Sequence, residues 1–314
     1  MPDLAFLFPG QGSQFVGMVR ELAPHPQALA IFHQASKTLG FDLFNLCLRG
    51  PEEKLSQDLY AQLAVHVTNC AYAAILSKMK VTPRLGSGFS LGIFSALVAA
   101  GSLSFEQGLE GVRIAAEQMS AEGRHHRGAM AAVIGLSERK VQAICQEVPS
   151  AFVASINTAG QVVISGQEKA VAKAIDLCRQ RGALMAKHLA IQWAIHTPLM
   201  ERASRAFAEI IRDWEVYPPR FPVLGYRQAK FLKTPPEIKE ELSAQFSQPN
   251  SWHKVLLRMI AEGIGTFIEV GPGNVLTQMT RWVNRQALTC TAEEILSQRN
   301  LPPAEIRGQK SPWL

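Results

Sequence analysis

Gly88-Phe89-Ser90-Leu91-Gly92 carries the strongest chemical signal in this chain. It fits G-x-S-x-G, the pattern of a nucleophile elbow, in which glycines allow a sharp turn that lifts a serine hydroxyl clear of the backbone. A helix starting directly behind the serine offers amides and the positive end of a dipole to an oxyanion. The plain alternative is a chance match, and the context argues against it. An apolar strand ends near Gly86, and a helix of small and apolar residues, Leu91 to Ala100, follows and stops at Gly101. Such a serine needs a base. Among eight histidines, His25, His33, His66, His125 and His126 lie in polar or helical surroundings, His188 falls within a strand and His253 at a helix start. His196 differs, because Trp193-Ala194-Ile195-His196-Thr197-Pro198 reads as a loop, where binding and catalytic groups concentrate.

A nucleotide-binding reading competes for the glycine-rich segments. Gly10-Gln11-Gly12-Ser13-Gln14 follows the first strand but has Phe15 where G-x-G-x-x-G needs its third glycine, and Gly86-x-Gly88 has Leu91 there. No G-x-x-x-x-G-K-[ST] occurs. Gly10 to Gln14 is then either a simple turn or a loop offering backbone amides to an anion.

The elements that must hold these residues alternate. Leu4-Ala5-Phe6-Leu7-Phe8 is an apolar run closed by Pro9-Gly10, as expected of a strand buried on both faces. Helical spacing follows around Phe15 to Leu22, Ala28 to Leu39 and Gln62 to Met79. A parallel α/β sheet results. The middle of the chain reads as strand Ala129 to Ile134, helix Glu138 to Val148, strands Ala151 to Ile156 and Val162 to Ser165, helix Gln167 to Arg181 and strand Leu184 to Ile191. That β-α-β-β-α-β order is ferredoxin-like. Residues 128–192 therefore form a small subdomain inserted in a large domain of residues 1–127 and 193–314. Within the returning part, Pro198 to Trp214 and Ser251 to Ala261 are helical, Phe221 to Leu224 and Thr266 to Val270 are strands, and a helix opens at Asn274. The polar tail from Gln298 ends in Trp313-Leu314, which could dock on the body.

Composition narrows the class. With 314 residues, 47% hydrophobic and 18% charged, the chain is too apolar for disorder. The net charge of +6 favours anionic partners without naming one. Five scattered cysteines, with no C-x-x-C pair, point to reduced thiols and no metal site. The apolar N-terminal run is too short for a signal peptide, and no stretch approaches the roughly 20 apolar residues of a membrane span. A cytoplasmic protein with neither a membrane nor a nucleic-acid partner is expected.

Taken together, the motifs resemble those of malonyl-CoA:acyl-carrier-protein transacylases and the acyltransferase domains of polyketide synthases. The matching pieces are Phe8 to Gln14, Gly88 to Gly101, Gly128 to Ala132, Asn157 with Gly160 to Gly166, and Glu269-Val270-Gly271-Pro272-Gly273. The resemblance spans Leu4 to about Met279. It implies an α/β-hydrolase-like core carrying a ferredoxin-like subdomain, with no bound cofactor and with phosphopantetheine thioesters of coenzyme A and an acidic acyl carrier protein as substrates. It implies a ping-pong transfer through an ester on Ser90, with His196 as base. A backbone carbonyl near Gln248 to Ser251 would orient the imidazole, and the amides of Gln11 and Leu91 would form the oxyanion hole.

Departures from the family pattern share a direction. The family elbow reads Gly-His-Ser-Leu-Gly-Glu, whereas Phe89 and Ile93 stand here in place of the histidine and glutamate. The arginine that pairs with the malonyl carboxylate falls, by alignment on Met119, at Ala115, with Ala116 for the following glycine. Arg113 lies two positions earlier, roughly 200° around a helix, and should point away. Ser251 replaces a glutamine before Trp252. Phe89, Ile93, Ala115, Trp193 and Ile195, with Asn157 and Ser251, would make an apolar acyl pocket lacking a fixed cation, where an unpaired carboxylate is costly to bury. A neutral acyl group is the expected substrate. Two alternatives stay open at this point, a thioester hydrolase and a malonyltransferase whose cation comes from Arg124, Arg127 or elsewhere.

Overall fold

The computed structural model describes residues 3–124 and 127–297. The docking expected of Trp313 and Leu314, like His125 and His126, lies outside them. Among the described residues the large sheet contains β1 (Leu4–Phe8), β2 (Leu85–Gly88), β7 (Val223–Leu224), β8 (Phe231–Leu232), β10 (Thr266–Glu269) and β11 (Leu288–Thr291), in the order β11-β10-β1-β2-β7-β8. Every ladder in it is parallel except that between β7 and β8. β1 sits centrally with helices on both faces, which is why its run is apolar throughout: Ala5, Leu7 and Phe8 are fully buried.

The small sheet has the order β6-β3-β5-β4-β9. Four of its strands, β3 (Gly128–Ile134), β4 (Ala151–Thr158), β5 (Gln161–Gln167) and β6 (Met185–His188), come with helices Glu138–Glu147 and Glu168–Gln180, in the ferredoxin-like order. The fifth, β9 (Asn250–Ser251), belongs to the returning chain and pairs in parallel with Ser155 and Ile156. Backbone hydrogen bonding thus stitches the inserted unit to the large one beside His196. The molecule is an α/β protein with a parallel-sheet core and an inserted ferredoxin-like subdomain.

Several elements differ from the expected ones. Phe15 to Leu22 forms turns and only one 3-10 turn, Arg20–Leu22, because Gly17 takes a positive φ of 99°. The segment from Pro198 splits into a 3-10 turn and helix Glu201–Ile211. Helix Pro235–Ala244, begun by a Thr234–Glu237 capping box, is an addition.

Helix Asp58–Lys78 is the spine of the large domain and starts earlier than expected. By length and composition alone it could cross a membrane, yet 78% of its apolar window is buried within the protein. Two fully buried polar side chains on it bond to neighbouring segments. Asn69 donates to the Pro9 carbonyl at 2.9 Å, and His66 meets Ser95 Oγ at 2.9 Å. Burial pushes the His66 imidazole down to about 3, so it stays neutral. These bonds tie the Pro9–Ser13 loop and the elbow helix Gly92–Ala99 to the spine.

Candidate active site

Strand β2 runs straight into the turn at Phe89–Leu91, and helix Gly92–Ala99 departs from it. Ser90 is held at a φ of +51°, a conformation that costs a non-glycine residue and persists only where its surroundings enforce it. Both flanking glycines are sterically required. A Cβ on Gly88 would lie 2.0 Å from the backbone of Gly92, and one on Gly92 would lie 2.0 Å from the Phe8 carbonyl. The turn can close against β1 only with hydrogens at both places.

Across from the elbow, His196 also has a positive φ, +63°. Its Nε2 lies 3.2 Å from Ser90 Oγ, and its Nδ1 lies 2.6 Å from the Gln245 carbonyl. A carbonyl can only accept, so Nδ1 carries the proton and Nε2 presents a lone pair to the hydroxyl. The orienting carbonyl thus comes from Gln245, ahead of the expected stretch Gln248 to Ser251. The reason is that helix Pro235–Ala244 delivers the chain to this point: the His196 amide donates to the Phe246 carbonyl at 2.7 Å, which pins the two loops together. Burial, only partly offset by the Gln245 bond, holds the imidazole down at about 4. It is neutral at pH 7 and able to accept the serine proton as the hydroxyl attacks an electrophilic carbon.

The backbone amides of Gln11 and Leu91 donate to no acceptor among the described residues. The loop carrying Gln11 is fixed by Ser13 Oγ on the Gly10 carbonyl and by Gly10 packed on the Phe89 backbone.

Two cavities meet at this pair. The larger, about 240 Å³, opens between the two units and is lined by Phe89, Asn157, Tyr226, Leu189, Ile191 and Met279, among others. The smaller, about 30 Å³, lies on the other side of Ser90 and is walled by Leu91, Phe94, Ala115, Met119, Ile195 and Phe246, with Gln11, Gln62 and Gln245 as its polar groups. Ser90, His196, Gln11 and Ile195 border both.

The expected pocket residues therefore separate. Ala115 lines the small cavity, Asn157 and Phe89 line the large one, and Ile195 borders both. Phe89 packs on Tyr226 and Trp252, with ring centroids 5.2 and 5.6 Å away. Three residues line neither cavity, which corrects the expectation. Ile93 is fully buried in the main core. Ser251 caps helix Trp252–Ala261, accepting from the Lys254 amide at 3.2 Å. Trp193 turns its indole NH to Asp58 Oδ2 at 2.6 Å. Ile93 lies in the first turn of the elbow helix Gly92–Ala99 and packs into the main core. Gln62, Phe94, Gln245, Phe246 and Tyr226 escaped the sequence reading. Only Gln62 left a trace there, as an amide within a nearly apolar helix.

A model of the acyl transferase domain matches residues 5–309. This chain belongs to the acyl transferase family. It is 36% identical over 299 residues to the malonyl CoA-acyl carrier protein transacylase of Bacillus subtilis, covering 94% of each chain. Its fold superposes on that of the malonyl CoA-acyl carrier protein transacylase of Coxiella burnetii with a TM-score of 0.92, at 31% identity, over 95% of this chain and 96% of that one. A malonyl-transacylase solved in complex with its type II polyketide synthase acyl-carrier protein gives a TM-score of 0.90 at 33% identity, over 95% and 99%. The protein is an acyltransferase of the transacylase type.

Proposed function

We propose that this acyltransferase moves a short, uncharged acyl group between phosphopantetheine thiols through an ester on Ser90. Ser90 Oγ attacks the thioester carbonyl as His196 Nε2 takes its proton, and the Gln11 and Leu91 amides receive the developing oxyanion. The thiol leaves with the proton from His196. An incoming thiol gives its proton to His196, attacks the ester and regenerates the serine. The large cavity receives the pantetheine arm, and the small one receives the acyl group. Coenzyme A and an acidic acyl carrier protein are the donor and acceptor, which suits a chain of net charge +6. Loss of one oxyanion donor typically costs 10²–10³ in rate.

The observation that carries this reading is the small cavity itself. Ala115 stands at its wall, and no lysine or arginine among the described residues lines either cavity. Arg113 is engaged outward with Glu110 and Glu117, and Arg124 and Arg127 are exposed. A malonyl carboxylate placed there has no cation to pair with, which is costly. At about 30 Å³ the space holds the equivalent of one or two waters, enough for an acetyl methyl or a little more.

Intact-mass analysis of the acyl-enzyme after exposure to malonyl-, acetyl- and butyryl-coenzyme A tests this. Acetyl should label Ser90 fastest, and malonyl labelling at an equal or greater rate overturns the reading. Release of free acid without acceptor thiol would assign the second half-reaction to water.

A further inference from the structure

The Asp58 carboxylate contacts two of the segments around the site, and the mechanism above leaves it unused. It opens the spine helix Asp58–Lys78 and is half-buried. Its two oxygens are divided between two loops. Oδ1 accepts from Gln11 Nε2 at 2.6 Å, and Oδ2 accepts from Trp193 Nε1 at 2.6 Å. Gln11 belongs to the loop offering an oxyanion amide. Trp193 lies three residues before His196, on the strap by which the chain returns from the small subdomain, and its ring lies flush on Gly123, where a Cβ would come within 1.9 Å of it. Charge-assisted bonds of this length are strong and directional.

We propose that Asp58 is a positioning and specificity-determining residue: it clamps the Gln11 loop to the His196 strap and sets a negative charge beside the acyl site. The first role follows from geometry. Oxyanion donor and base come from segments 185 residues apart, and both must be held to a fraction of an ångström relative to Ser90. The second follows from charge. Gln11 borders the small cavity, so its anionic partner lies one side chain away from the acyl group. A carboxylate on that acyl group meets repulsion where a cation would be needed, whereas a neutral group is unaffected. The specificity role rests on the neutral-acyl reading above, and the clamp does not.

The two roles separate in variants. Asp58→Asn keeps the clamp, since its oxygen accepts from Trp193 and its amide donates to a flipped Gln11 side chain, but it removes the charge. Asp58→Ala removes both, and Trp193→Phe removes one bond with little change of volume. Single-turnover acylation by acetyl- and malonyl-coenzyme A is measured on each folded variant, checked by near-ultraviolet circular dichroism. Asp58→Ala should lower the acetyl rate at saturating thioester by about tenfold or more, with KM little moved. Asp58→Asn should retain most of the acetyl rate and raise the malonyl-to-acetyl ratio on the order of tenfold. Combining Asp58→Ala with Trp193→Phe should cost no more than Asp58→Ala alone, because both cut the same tie. An acetyl rate unchanged in Asp58→Ala, or additive losses in the double variant, overturns the clamp. An unchanged ratio in Asp58→Asn overturns the charge role. Faster malonyl than acetyl labelling of the wild-type chain instead defeats the neutral-acyl reading and leaves the clamp to be judged by the acetyl and malonyl rates alike.

Discussion

Acylation should survive to unusually low pH. A histidine base acts only when neutral, and an ordinary one has a pKa near 6.5. Here burial pulls His196 down to about 4. The rate should therefore be flat from neutrality down to about pH 5 and fall through about 4. At pH 5 a group of pKa 4 is about 90% neutral, whereas one of 6.5 is about 3% neutral, so the two cases differ roughly 30-fold in rate. Single-turnover acylation by acetyl-coenzyme A, quenched and weighed between pH 3.5 and 8, reads this directly. Because desolvation is the cause, hydrating the site should reverse it: Ile195→Ser, at the border of both cavities, should move the midpoint upward. A wild-type profile that bends near 6.5 refutes the reasoning. Folding must be followed in parallel, because buried His66 and His196 also erode stability in acid. Their depressed values mean that this contribution is present above 6.5 and is lost as pH falls through about 4 and about 3.

Other residues give independent checks. Met119, 5% exposed, walls the small cavity, so Met119→Ala should admit butyryl in the labelling panel while costing about 2–5 kcal/mol in urea unfolding. Glu269 is buried beneath the Gly271-Pro272-Gly273 turn, accepts from the Thr277 amide at 2.8 Å, and is pushed up to about 7 by desolvation. Its folded value is raised, so its stabilisation is present below about 4.5 and lost as pH climbs through 7; melting of Glu269→Gln beside the wild type should show the wild type losing ground over that window, by up to about 3 kcal/mol. Arg227, with its buried partner Glu241 at 3.0 Å, also reaches Gln248 in the stretch that carries the Gln245 carbonyl. Arg227→Ala strands a buried carboxylate and should cost about 3–5 kcal/mol by chemical denaturation.

Much of the machinery was legible because local constraints write it into residue types. Only glycine tolerates the approaches at 88 and 92, so the elbow shows as a pattern around Ser90. Strand β1 shows because a strand covered on both faces must be apolar. The inserted unit shows because amphipathic helices and alternating strands have different periods. What escaped is what depends on chain segments meeting. The Gln245 carbonyl is a backbone atom, identical in kind to any other, and nothing in its residue type marks it as the imidazole's partner. Strand β9 is two residues long, too short for any period.

The sequence by itself determined the candidate nucleophile, the turn that exposes it, the layered α/β architecture and the absence of an arginine at position 115, since each is a matter of residue identity or local spacing. Tertiary structure alone decided which apolar residues line the small cavity beside Ser90. Ile93 turns into the core, Ser251 caps a helix and Trp193 swings to Asp58, while Phe94, Phe246 and Gln62 close the small cavity. The reason is that a pocket is a property of surfaces brought together by packing, and packing joins residues by direction in space rather than by order along the chain.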